Sequence, residues 1–255
     1  AYTPAQTDQV ENGIITVSSV TTDGTAAGTV NAEDAAIAVS QAAAAGSSAV
    51  TFLLDASDDA KGAQLKVPAD VFSTVLSSQI QNLIINTPIA DIVLDQKAIR
   101  NIAAAAKGSD VIISASLADP GALSVPEDVK AEIARRPLYD FAITSGNKTI
   151  TSLGGGQASV RVPYTLKPGE NPNAIVVYYL DNNGRLQNVP GVYHAGSCKV
   201  SMMLSHFSIF VVGYNKIQFT DVPDSAWYAN AVDFAASRNL FGGVGNEMFA
   251  PAAPM

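Results

Sequence analysis

The chain has 255 residues, 47% of them hydrophobic and 15% charged, and carries a formal net charge of −8. That length holds one large or two ordinary domains, and the apolar fraction supports a proper core, although much of it is alanine. The negative charge argues against nucleic acid or an anionic membrane as partner, because both demand a basic face. The one cysteine, Cys198, cannot make an internal disulfide, no Cys/His set has zinc spacing, and no run of about 18 apolar residues crosses a membrane.

Residues 1–12 are polar and read as a linker. The polar start and the closing "APAAPM" both look cut from something longer, so the lack of a secretion signal carries no weight. "GIITVSSVT" (13–21) reads as a strand. "NAEDAAIAVSQAAAAG" (31–46) reads as a helix with Asn31 as N-cap, acids in its first turn and Gly46 at its end. "AVTFLLD" (49–55) follows as a buried strand.

An internal repeat comes next. Residues 63–76 match residues 90–103: alternating apolar residues (Leu65, Val67; Ile92, Leu94) run into Pro68 or Asp95, where a helix begins. An apolar strand follows each helix, at 82–86 and 110–114. The stretch 121–136 opens in the same way. Residues 13–136 are therefore expected to form an α/β module with a mixed sheet and repeated strand–helix–strand units.

From Pro137 the pattern changes to short strands and turns. "SGNK", "DNNG" (181–184) and "HAGS" (194–197) read as hairpin turns, the second joining "AIVVYYL" to "RLQNV". Residues 137–215 are expected to form an antiparallel β-sandwich, giving an α+β chain as a whole. In residues 216–255, Asp224 or Ser225 is expected to cap a helix bearing Trp227, Ala231, Val232 and Ala235. Asn239 stands where that helix should stop, and "GGVG" loops back to "MFAP".

This last segment resembles the S-layer homology domain. The resemblance rests on Phe219-Thr-Asp221, on Trp227-Tyr228 at a helix start, and on Gly243 through Phe249-Ala-Pro251. Asn239 stands where the family usually has Gly, and the family's Thr-Arg-Ala-Glu signature, part of its ligand pocket, would follow Met255. The resemblance implies a secreted surface protein of a Gram-positive-type bacterium, tethered to secondary cell-wall polysaccharide through a complete region of about three such motifs. On that basis Asp221 and Trp227 are remnants of a wall-ligand site, Trp227 is expected as the core of a small helical hairpin, and the lone motif is expected not to bind the wall. Upstream, "VRVPYTLKPGENPNAIVVYYL" and its continuation resemble spacer modules of large surface proteins.

The stretch "LSHFSIFVVG" (204–213) sets His206 beside Ser208 if it is a continuous strand, since residues i and i+2 share a face. His206-Phe207-Ser208 also looks like the self-cleavage site of ZU5-type domains, where the serine attacks the carbonyl before it and the histidine takes the proton. That chemistry needs a strained peptide, and a structural strand with a satisfied polar pair is the expectation.

Other candidates are thinner. Asp55, Asp58 and Asp59 fit no EF-hand loop and read as a solvated acidic loop. Gly154–Gly156 precede a strand, so they are no phosphate cradle. His194 reads as a surface residue. Tyr178, Tyr179 and Tyr193 could stack on sugars, although alternation should place one of the first two in the core. No catalytic set, metal or cofactor is expected. The sequence reads as a non-enzymatic spacer, with a carbohydrate-binding module and a self-cleaving domain as competing classes.

Overall fold

Asp23 and Gly24 both take left-handed φ (50° and 77°), the geometry a two-residue hairpin turn needs. They fold β2 (Ile14–Thr22) back onto β3 (Thr25–Thr29), a hairpin that the strand expected at 13–21 did not include. The computed structural model describes residues 8–253; residues 1–7 of the expected linker lie outside them, as do Pro254 and Met255. Gln9–Glu11, inside that expected linker, form β1 and pair antiparallel with β2.

The chain is mixed α/β, mostly strands in a large mixed sheet with a few helices. It divides into two compact units that interleave in sequence. The first runs through Asp119 and takes in Tyr139–Val162 and Met203–Ile209; the second comprises Pro120–Leu138, Pro163–Met202 and the chain from Phe210 onward.

In the first unit, α1 (Ala32–Ala44) starts where Asn31 accepts hydrogen bonds from the amides of Glu33 and Asp34, and it ends at Gly46 with φ 68°. Next come β4 (Ala49–Asp55), β5 (Gly62–Val67), α2 (Ala69–Ser77), β6 (Asn82–Asn86), β7 (Asp91–Asp95), α3 (Gln96–Ala106) and β8 (Val111–Ala118). The lower half of β2 runs parallel to β4, which runs parallel to β6; β6 pairs antiparallel with β7. Beyond its hairpin with β2, β3 runs parallel to β5, and β5 pairs antiparallel with β8. Leu65, Val67, Ile92 and Leu94 are all buried, as their alternation required, together with Phe52, Phe72 and Ile99.

Further along the chain, β9 (Leu138–Ser145) makes a hairpin with β10 (Lys148–Thr149), and β11 (Ala158–Pro163) pairs antiparallel with β7. Between β10 and β11, Gly154 and Gly155 take left-handed φ and Gly156 lies against the first turn of α3. A β-carbon built on Gly156 would sit 2.1 Å from the Ala98 amide nitrogen. The glycines thus seat a loop on a helix: the Asp95 carboxylate accepts from the amides of Ala98 (2.7 Å) and Gln157 (2.9 Å), fixing both.

The second unit holds α4 (Glu127–Ile133), β12 (Ile175–Leu180), β13 (Leu186–Val189), β14 (Gly191–His194), all but the last two residues of β15 (Lys199–Leu204), all but the first residue of β16 (Ile209–Tyr214), and α5 (Ala229–Ser237). The expected hairpin turns are present: β12 pairs with β13 across Asp181–Gly184, and β14 with β15 across 195–198. β12 also pairs antiparallel with β16. Arg136, Tyr164 and Glu170 form a buried polar cluster. Arg136 Nη1 donates to Glu170 Oε1 (2.5 Å) and Tyr164 Oη (3.0 Å), and Tyr164 donates to Glu170 Oε2 (2.6 Å).

Candidate functional site

The C-terminal segment closes on itself. The Asp221 carboxylate accepts hydrogen bonds from the amides of Phe249 (2.8 Å) and Ala250 (2.7 Å), and the rings of Phe219 and Phe249 lie 5.2 Å apart. The Thr220 amide donates to the Glu247 carbonyl (2.8 Å). Gly243 passes so close to the Met248 carbonyl that a β-carbon would stand 2.4 Å from its oxygen. The Phe-x-Asp and Phe-x-Pro ends of the motif are therefore two halves of one clasp.

Those amide hydrogen bonds hold the Asp221 carboxyl below its ordinary pKa. The clasp therefore persists through mild acid and is released only as pH falls through that lowered value. Asp221→Ala should speed hydrogen exchange at the Phe249 and Ala250 amides while the melting temperature of the whole chain hardly moves. Unchanged exchange at those two amides would show that the carboxylate is not what holds them.

Helix α5 starts after Tyr228 without a side-chain cap, so neither Asp224 nor Ser225 caps it as expected. Its buried face is Ala229, Val232, Asp233, Ala236 and Ser237, and Ala231 is exposed. Asn239 takes the left-handed conformation expected at the helix end (φ 55°). Trp227 precedes the helix and is 93% exposed, its ring edge-on to Tyr228 at 5.5 Å. It is therefore not the core of a helical hairpin: it lies ahead of α5, which begins at Ala229, and faces solvent. A cleft of about 360 Å³ in the segment is lined by Lys216, Phe219, Asp224, Asp233 and Glu247, among others, and not by Trp227.

Asp233, only 8% exposed, accepts from Asn171 Nδ2 (2.5 Å) and faces Lys216 Nζ at 3.7 Å. Burial pushes its carboxyl up, with Lys216 pulling the other way and Asp224 adding to the rise. Asp233, Ser237 and Arg238 are the residues here that sequence reading missed. Polar side chains at i, i+4 and i+5 look like a solvated helix face, and the signal that could have found Asp233 and Ser237 is their spacing of four and eight residues from Ala229.

The expected continuous strand through His206 and Ser208 is not present. β15 ends at Leu204, β16 starts at Ile209, and Ser205–Ser208 form a bend in which His206 bridges Ser152. The buried positions shift from Leu204 to Phe207 across the bend, so His206 and Ser208 are not same-face neighbours on a pleat. The Ser208 carbonyl accepts from the Phe141 amide (3.0 Å), and Ser205 Oγ lies 3.5 Å from His206 Nδ1. No cis peptide occurs among the described residues.

Neither Tyr178 nor Tyr179 is fully buried, against the expectation for one of them. Tyr179 tilts against Phe210 (5.8 Å), and Tyr178 covers Gly213. Tyr193 is half-buried, edge-on to Tyr164 at 6.2 Å. The three rings thus pack within the protein rather than forming one exposed platform. His194 is exposed, with Nε2 2.7 Å from Ser201 Oγ. Ser57 caps the acidic loop by donating to Asp59. Among the described residues no helix is long and apolar enough to cross a membrane.

No curated protein and no solved structure matches the chain. A family model does match its end. Residues 218–255, the span of the Asp221 clasp, exposed Trp227 and α5, match the S-layer homology domain, a module that binds cell-wall polysaccharide and indicates a cell-surface, wall-associated protein.

Proposed function

We propose that this chain is a non-catalytic spacer and display region of a secreted, wall-anchored protein of a Gram-positive-type bacterium. Its C-terminal motif contributes Trp227 and Asp221 to an S-layer homology region that engages secondary cell-wall polysaccharide, and the strand-rich remainder holds whatever is displayed away from the wall. The observation that carries this reading is the match over residues 218–255, joined to a segment whose ends are clasped while its indole faces solvent. Asp221 acts in it by shaping the segment, and Trp227 by offering an exposed ring.

The finer architecture belongs to the same reading. Residues 63–86 and 90–114 are two copies of one strand–helix–strand unit. The pairing of β5 with β8 and of β6 with β7, the pattern a two-fold relation produces, supports this. Within the expected sandwich span, residues 163–202 and 210–215 supply strands of the second unit of the spacer, hairpins among them, and 139–162 and 203–209 belong to its first.

The spacer role is tested on cells displaying the protein with an epitope tag ahead of residue 8. The same tag placed instead in the exposed turn 195–198, on the unit that carries the S-layer homology segment, is the comparison, because both proteins keep the strands on which that segment is built. Antibody access should be clearly greater for the tag ahead of residue 8, with wall-bound protein equal. Equal labelling of the two tags would overturn the spacer reading.

A further inference from the structure

An S-layer homology motif following a strand module could hang from it on a flexible tether or be built into it. The residue that distinguishes these two arrangements is Arg238, just past the end of α5. A guanidinium carries five N–H donors in a planar fork. Here Nη2 donates to the carbonyls of Ile175 (2.7 Å) and Gly191 (2.9 Å), and Nε also donates to Gly191 (3.1 Å). Nη1 donates to the carbonyls of Asn173 (2.8 Å) and Phe234 (3.1 Å) and to Ser237 Oγ (2.9 Å). The accepting carbonyls come from the 3-10 turn Pro172–Ala174, from the first residues of β12 and β14, and from α5 itself. The face of Phe234 covers the cation at 3.7 Å.

This partner set is unusual for an arginine. Its donors go mainly to main-chain carbonyls rather than to a carboxylate, so its hydrogen bonds satisfy the backbone of its own helix and of three other elements at once. The neighbouring contacts run between the same pieces. Asn215 Nδ2 donates to the Ser237 carbonyl (2.7 Å), Ser237 Oγ to the Asn173 carbonyl (3.3 Å), and Asn173 Nδ2 to Asn230 (3.1 Å). Ser237 is fully buried in this seam, and the chain from Phe210 onward belongs to the same compact unit as Pro163–Met202.

We infer that Arg238 locks the S-layer homology segment onto β12 and β14, so that the segment keeps a fixed orientation on its strands and opens only when they do. A lysine cannot replace this lock. Its three donors radiate from one nitrogen and cannot reach carbonyls on both sides of a planar fork.

Hydrogen exchange of the intact chain tests this, with trypsin cleavage after Lys216 as a second readout. In the parent protein the amides of α5 should be as protected as those of β12, with no cleavage after Lys216 before the unit unfolds. Arg238→Lys should raise exchange across α5 at least about tenfold while β12 keeps its protection, because opening becomes local rather than shared. Should Arg238→Lys also unfold β12, the lock is still required, and Asn215→Ala, which removes one seam contact, should then give the local opening. Parent α5 exchanging far faster than β12 would overturn the inference, as would Arg238→Lys leaving α5 exchange unchanged.

Discussion

Gly156→Ala should destabilise the first compact unit by about 2–4 kcal/mol, combining overpacking with the partial loss of a helix cap. The added methyl would lie 2.1 Å from the Ala98 nitrogen, 2.6 Å from the Ala98 α-carbon and 2.7 Å from Asp95 Oδ1. Two of these are backbone atoms in the first turn of α3, and the third is the oxygen that caps that turn, so nothing at the tip of a flexible side chain can swing away. Any retreat of the loop also breaks the bond between the Gln157 amide and Asp95. Urea denaturation followed by circular dichroism measures the effect. Gly196→Ala, with open space around it, is the control and should stay within about 0.5 kcal/mol of the parent. A Gly156→Ala cost below about 1 kcal/mol would mean that the loop yields and the glycine is not a seat.

Arg136→Ala should cost about 3–5 kcal/mol, because it leaves Glu170, whose side chain is 7% exposed, as a buried carboxylate without its cation. The pH dependence carries the sharper signature. Burial pushes the Glu170 carboxyl up, but hydrogen bonds from Tyr164 and Arg136, the Lys167 amide and the Arg136 charge outweigh it and hold the group below its ordinary value. A carboxylate lowered in the fold stabilises above its unfolded pKa, and that stability is lost as pH falls through the lowered value. The parent should therefore weaken on acidification through that window, and Glu170→Gln should flatten the dependence. In Arg136→Ala burial gains weight and the sign turns: the penalty is greatest near neutrality and eases as Glu170 takes up a proton. Melting temperatures across an acid pH series decide it, and parallel curves for parent and both variants would rule the cluster out as the source.

Local chemistry was the legible part of this sequence. Asn31 and Asp95 cap helices because short polar side chains reach the amides two or three residues on, and the strands at 49–55 and 82–86 stand where apolar runs placed them. Asp23-Gly24 was equally legible as a hairpin signal, yet the small residues of β3 (Thr-Ala-Ala-Gly-Thr) show none of the large-hydrophobic alternation that marks a strand. The bend at Ser205–Ser208 is different in kind. An unbroken period of two through Leu204, His206, Ser208 and Phe210 gives no hint that the buried face slips to Phe207, because the cause lies in Ser152 and Phe141, far away in sequence. Arg238 was hidden for the same reason: a cation near a helix end has a sufficient local explanation in the helix dipole, and its actual partners sit about 50–60 residues upstream. At the candidate site, the motif ends were readable as a pattern but not as a clasp, and nothing in the pattern marked Trp227 as exposed.

The interleaving of the two units also constrains the order in which the molecule can be made. The first unit needs Tyr139–Val162 and Met203–Ile209 to complete its contacts, so β7 waits for β11 and β8 for β9, both from later parts of the chain. A polypeptide delivered to the cell surface N-terminus first would leave β1 to β8 outside with the partners of β7 and β8 still to emerge, exposing those two strand edges in the meantime. Completion of the first unit would then be set by passage of Ile209 rather than by the start of synthesis.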